Sequence, residues 1–527
     1  MAEDWKDKLR RAFFTKQAGA DKSPPKDVTN NHPVASAAVS QQAAGLKAPT
    51  VGEPKSRIAG SRDNRAIAPT ARPQIRDPRA VGSMGPGSPE VDAHIGIDFG
   101  TRFTKVALHL PHVDVRKVLS LREASGRLFP SRLLIGDDDL IYPPDLEPRL
   151  ANASIEYLKM RLAEPETTIF GSMRRGAEIS ANIRALSALF LAGVIRLAQQ
   201  ASLREPTLAG RRVVWMANVG VPVKYCDSSA LLTFREVCGV AWQWREEKPS
   251  PFDMKELRRA YGSTVGQIAG ALDDLPIRVA PELTAALAHF GDNRNTAPGL
   301  YAFIDIGGGT LDGSAFELRR GPNGPEFTIY AAEVDELGTM ALAHHALGEI
   351  ERDLEAGIET QLILGGMAPS ISIPPQKLEL RKSEERVQKL LHRVGAITRK
   401  KQPGLRFSDD LYASSRKLQS IANPAHPVIP VFLSGGGARS EWYQSLFRRT
   451  SADFNEHQYG IGGYDVRLLP RPPGNNDDDY LRFVIATGLA SARLHWNQYQ
   501  LPSAIESPPP PPDWHPPFQA PVTKDMV

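Results

Sequence analysis

The chain has 527 residues, enough for two or three domain-sized units, and its 41% hydrophobic and 24% charged content is ordinary for a folded soluble protein. The formal charge is +4, and residues 1–93 alone carry 15 Lys and Arg against 10 Asp and Glu. The rest of the chain is therefore close to neutral, and its charge gives no support to nucleic-acid binding. Two cysteines, Cys226 and Cys238, are too few for a disulfide framework and have no metal-ligand spacing. The start is charged throughout and has no secretory pattern, so a reducing, cytoplasmic location is expected.

In chain order, the first expected element is a short amphipathic helix in residues 1–16. There Trp5, Leu9 and Phe13 share helical spacing, and Lys6, Lys8, Arg10 and Arg11 lie between them. Such a stripe suits docking to a protein partner, or contact with an anionic membrane surface. Residues 17–93 are rich in Pro, Ala, Ser, Gly and Arg without a sustained period and are expected to be a disordered linker.

A glycine-bearing turn follows, Gly96-Ile97-Asp98-Phe99-Gly100-Thr101, and a second comes about two hundred residues later, Ile304-Asp305-Ile306-Gly307-Gly308-Gly309-Thr310-Leu311-Asp312. Each lies between strand-like runs and reads as a β-hairpin with a turn rich in backbone N–H groups. Glycine lets such a backbone approach phosphate oxygens closely. The aspartates would be repelled by phosphate but can hold Mg²⁺ through water, and Mg²⁺ favours one or two carboxylates plus substrate phosphates.

Between the turns, residues 181–200 read as a helix, their longest apolar run, Ala185–Ile195, being too short to span a bilayer. Residues 211–219 read as the following strand and 283–290 as a further helix. After the second turn, residues 377–399 form a charged helix and residues 471–480 a Pro, Gly, Asn and Asp loop. From residue 498 the chain should be a Pro-rich disordered tail, with Pro508–Pro512 suited to a proline-reading partner.

Together the two turns resemble the phosphate motifs of the actin/Hsp70/sugar-kinase superfamily. Val431–Arg439 resembles its adenosine motif, and Ile485–Ala490 resembles its small-residue connecting helix. Within the superfamily, Val219–Ser229 and Arg278–Ala288 are similar to two Hsp70 stretches, a strand-to-helix turn and a helix start. The ordered set, over residues 94–497, is far more specific than any one motif. The resemblance implies an α/β, two-lobed actin-like ATPase fold of duplicated RNase H-like lobes. One lobe would be 94–299 plus 470–497, the other 300–469. It also implies ATP or ADP with Mg²⁺ as cofactors.

By the same resemblance, Asp98 and Asp305 would hold the metal through water, and Asp312 and Glu282 would act near the attacking water. Gly100, Thr101, Gly307, Gly308, Gly309, Thr310 and Gly338 would lie along the nucleotide, with Gly435, Gly436 and Arg439 at the adenosine. The phosphate lysine is open between Lys159, in the Hsp70-like stretch Leu158–Leu162, and Lys105, which stands where actin and actin-like segregation proteins carry one. Arg102 replaces a small polar residue of the Hsp70 turn, and Arg482 stands where Hsp70 has an Asp before the connecting helix. The peptide-binding half of an Hsp70 is missing. The leading expectation is a slow Mg-dependent ATPase serving as a nucleotide-driven switch or chaperone-like factor. An actin-like filament protein and a small-molecule kinase of the same superfamily are the alternatives.

Overall fold

A computed structural model describes residues 89–164, 176–322, 324–342, 376–401, 429–456, 464–472, 475–491 and 499–505. All belong to one compact unit that begins at Arg79. The expected N-terminal helix, the expected linker as far as residue 88 and the tail beyond 505 lie outside the described residues.

The architecture is mixed α/β. Strands β1 (Glu90–Asp98), β2 (Phe103–Leu110) and β3 (Val115–Leu119) form an antiparallel meander. Strand β1 begins four residues before the expected boundary at 94. Val91, Ala93, Ile95 and Ile97 alternate with polar or small residues and are buried on one face, and Glu90 already pairs with Arg212. The short strand β4 (Phe129–Pro130) pairs with β2, and β5 (Leu133–Gly136), β6 (Ile141–Tyr142) and β7 (Ala151–Ile155) make a small separate sheet.

Helix α1 (Leu158–Ala163) and the 27-residue helix α2 (Gly176–Ser202) come next. By length and composition Asn182–Ser202 is apolar enough to cross a membrane, but most of it is buried inside the fold. Its one deeply placed cation, Arg196, makes two bonds to Asp145 at 2.6 and 2.8 Å and a third to the Trp244 carbonyl at 2.7 Å. Strand β8 (Arg212–Val221) then runs parallel to β1. Helices α3 (Val223–Cys226), α4 (Ala230–Trp244) and α5 (Met254–Ile268) lead to β9 (Ile277–Pro281), parallel to β8. The sequence pattern predicts a single helix over 283–290. The chain instead forms α6 (Glu282–Ala286) and α7 (Ala288–Asp292), divided at Leu287.

The second sheet repeats the plan. Strands β10 (Gly299–Ile306), β11 (Leu311–Gly321) and β12 (Gly324–Asp335) form an antiparallel meander. After helix α8 (Gln376–Lys401), strand β13 (Ile429–Ser434) lies parallel to β10. After helix α9 (Glu441–Glu456), strand β14 (Tyr464–Leu468) lies parallel to β13. Leaving aside the short strands β4 and β15, which add a sixth strand to each, both sheets follow the order 3-2-1-4-5, with three antiparallel strands and two parallel additions.

Helix α10 (Tyr480–Ala490) is buried on almost every side. It packs on β1 at Gly96, where a Cβ would collide with the Ala486 carbonyl oxygen, and on α6 at Gly488, where a Cβ would collide with the Ala285 carbonyl oxygen. Only glycine permits either approach.

The tail departs from the expectation of disorder from 498. Strand β15 (Tyr499–Gln500) lies parallel on β12, pairing Tyr499 with Phe327 and Gln500 with Thr328. A 3₁₀ turn over Pro502–Ala504 follows, and the Ser503 backbone N–H donates to Asp227 Oδ2 at 2.9 Å. Leu501 packs against apolar residues of both hydrophobic cores. Edge pairing and this contact order residues that composition alone assigns to a solvated tail.

Candidate functional site

The two glycine turns share one register. In the first hairpin Asp98 on β1 stands opposite Lys105 on β2, and the Lys105 ammonium donates to Asp98 Oδ2 at 2.7 Å. In the second, Asp305 on β10 stands opposite Asp312 on β11. The same position, seven residues after the turn aspartate, thus holds a cation in one sheet and a second carboxylate in the other.

The backbone of the second turn is oriented by the segment behind it. The carbonyl oxygens of Gly307, Gly308 and Gly309 accept from the N–H groups of Thr339 (3.0 Å), Met340 (2.7 Å) and Gly338 (3.2 Å). In a trans peptide the N–H points opposite to the carbonyl, so the N–H groups of Gly308, Gly309 and Thr310 face away from that segment. Such a row of donors suits an anion. Gly338 has no side chain because a Cβ there would lie 2.6 Å from the Gly308 backbone.

Both turns open on one cavity, with about 80 Å³ accessible to the centres of water-sized molecules. Asp98, Gly100, Thr101, Arg102 and Lys105 line it from the first turn, and Asp305, Gly307, Gly308, Thr310 and Asp312 from the second. Lys159, Glu282, Gly435 and Gly436 complete the sequence-predicted part of the wall. Both lysines left open by the sequence are therefore present. The turns also touch each other: a Cβ on Gly309 would be 2.6 Å from Thr101 Cγ2, and one on Gly308 would be 3.0 Å from Arg102 Cβ.

Three predicted residues stand outside the wall. Gly309 faces Thr101 and Met160, and Gly338 backs the turn. Arg439 donates to the Asp478 carbonyl oxygen at the surface, because the acidic loop before α10 captures it. Sequence reasoning missed Phe103, Leu128, Thr339, Leu481 and Ile485 as lining residues, and noted Arg482 only as a departure from a pattern. Phe103 and Thr339 adjoin predicted positions and Ile485 opens the connecting-helix stretch; Leu128 and Leu481 carry no local signal.

The wall carries the carboxylates of Asp98, Glu282, Asp305 and Asp312 and the cations of Arg102, Lys105, Lys159 and Arg482. Lys159 on α1 and Glu282 at the start of α6 are buried and bonded at 2.6 Å. Gly220 makes room for this glutamate, since a Cβ there would be 2.9 Å from Glu282 Cγ. Burial would lower the Lys159 pKa, but Glu282, Asp312 and Asp98 outweigh it and hold the ammonium above its ordinary value. Burial, followed by the charges of Glu282 and Asp98, pushes Asp305 up to about 7. Burial and Glu282 also raise Asp312 well above the usual carboxylate range, and burial raises Glu282 itself.

Asp305 Oδ1 and Asp312 Oδ1 are buried without a hydrogen-bond partner among the described residues. Two under-compensated carboxylates beside a row of N–H donors fit a site that receives a cation together with an anion. No group of three or more His, Cys, Asp or Glu among the described residues is placed to hold a metal directly. A hard cation such as Mg²⁺, which takes one or two carboxylates and completes its shell with water or anionic ligands, fits this donor set. Comparison with known proteins finds no matching family model and no significant relative among curated proteins.

Proposed function

We propose that this protein binds ATP with Mg²⁺ between two actin-like lobes and acts as an Hsp70-like ATPase. The observation that carries the reading is the meeting of two Asp–Gly hairpins, in matching register, at one cavity that also holds Lys159 and Glu282. The repeated 3-2-1-4-5 strand order supports duplicated RNase H-like lobes, and α10 between them supports the role of a connecting helix.

In this reading the N–H groups of the second turn and the ammonium groups of Lys105 and Lys159 bind and orient the phosphates. Mg²⁺, when bound, neutralises phosphate charge as the terminal phosphoryl group is transferred. Asp98 and Asp305 would hold it through water. Asp312, whose proton affinity is raised, accepts a proton at its carboxylate as water forms the new P–O bond and the bond to the ADP oxygen breaks. In this reading, loading and release of the nucleotide accompany movement of the two lobes about the cavity. This makes the nucleotide a conformational switch. Partners reading the N-terminal stripe or the Pro-rich tail would connect that motion to a client.

Lys105, bonded to Asp98 within the cavity, favours a second reading, an actin-like filament-forming ATPase. Sedimentation with and without ATP separates the two, since only the second requires nucleotide-dependent assembly. Isothermal titration of the full chain tests the common premise. Binding of ATP and ADP that strengthens with Mg²⁺ and is impaired in Asp305→Ala is expected. Folded protein that binds no adenine nucleotide would overturn the proposal.

A further inference from the structure

Arg482, the third residue of α10, is a cation of the cavity wall that the preceding reading, as with Arg102, leaves without a role. It lines the cavity beside Leu481 and Ile485, and its Nε lies 3.9 Å from where a Cβ on Gly436 would stand. It is half-buried, and no carboxylate among the described residues pairs with it.

The acids nearest in sequence are already engaged. Asp477 binds Arg127, which also lies 3.5 Å from Asp479. Asp478 receives Arg471 on its carboxylate at 3.1 Å and Arg439 on its carbonyl oxygen. Within the cavity, Asp98 is taken by Lys105 and Glu282 by Lys159. Three arginines thus tie down the acidic loop, while the fourth points to the glycine wall. A guanidinium does not lose its proton at any ordinary pH, and its planar fork matches phosphate oxygens.

We infer that Arg482 is a further phosphate-binding residue of this cleft, donating from the α10 wall to a phosphate oxygen of the ligand. The inference rests on the nucleotide reading only for the identity of the ligand; the chemistry it requires is a polyphosphate. It also gives the cleft positive charge from a wall where the Hsp70 pattern has a carboxylate.

The test is titration of the full chain, its Arg482→Ala variant and its Arg482→Lys variant with ATP, ADP, adenosine and inorganic tripolyphosphate, each with Mg²⁺. Thermal unfolding confirms that the variants remain folded. Arg482→Ala should weaken ATP and tripolyphosphate about 10- to 100-fold, the loss of one charge-assisted bond. Adenosine should be unaffected, and Arg482→Lys should recover part of the loss. ATP affinity unchanged in Arg482→Ala, or adenosine weakened equally, overturns the inference while leaving nucleotide binding intact. If tripolyphosphate binds in an Arg482-dependent way but no nucleotide does, Arg482 keeps its role and the nucleotide reading fails. If neither ligand binds the parent protein, both fall.

Discussion

Lys159 Nζ and Glu282 Oε1 lie 2.6 Å apart, buried, and join helices 123 residues apart in sequence. The pair is asymmetric. Lys159 also feels Asp312 and Asp98, whereas Glu282 faces the carboxylates of Asp98, Asp305 and Asp312, with Lys105 as a second cation. Removing the lysine therefore leaves anions without compensation, whereas removing the glutamate leaves a cation that still has partners.

Accordingly, Lys159→Met should destabilise the protein by about 3–5 kcal/mol, the range for one broken buried pair. Glu282→Gln should cost clearly less, and the double variant less than the sum. Chemical denaturation of the ligand-free protein measures all three. An equal or inverted order would contradict the asymmetry.

Asp305 gives a pH dependence of known sign. Its carboxyl titrates near 3.8 when unfolded and is pushed up to about 7 when folded. Between those values the native state holds a proton that the unfolded state has lost, so the stabilising contribution is complete below about pH 4 and declines as pH rises to about 7. Asp305→Asn removes the decline. The ligand-free variant should match the parent near pH 4 and exceed it at pH 8 by on the order of 4 kcal/mol, at about 1.4 kcal/mol per pKa unit. Unfolding curves across this range, without Mg²⁺, check it. A parent whose stability rises instead would refute the assignment.

The packing of α10 gives a steric prediction. Gly96→Ala and Gly488→Ala each drive a Cβ into backbone that cannot rotate away. Each should cost at least the upper part of the usual overpacking range, about 1–3 kcal/mol. Gly266→Ala on α5 meets nothing within 4 Å and should be neutral or stabilising by up to about 1 kcal/mol. Thermal melts of the three variants distinguish the effects.

The parts of this molecule legible in its sequence are those fixed by local chemistry. Asp98, Asp305 and their glycines could be named because tight turns between apolar runs leave few alternatives, and Asp312, Lys105 and Lys159 because they match positions in stretches that resemble a known superfamily. Arg439 lies outside the cavity wall because it bonds to an acidic loop that no periodicity locates. The break at Leu287 and the start of β1 at Glu90 depend on packing and pairing with distant strands. Arg482 could be seen in the sequence as an oddity, but its exclusion from the surrounding ion pairs is a property of the fold alone.

Strand β15 sets a condition on how the protein is made. Tyr499 and Gln500 lie against Phe327 and Thr328 on β12, the outermost member of its meander. On the ribosome, β12 emerges long before residue 499 exists, so that margin of the sheet stays open through much of translation. Unpaired strand margins recruit other chains. A chain not yet extended to residue 499 therefore leaves Phe327 and Thr328 unpaired on that margin, and Tyr499 and Gln500 close those two positions once they are added.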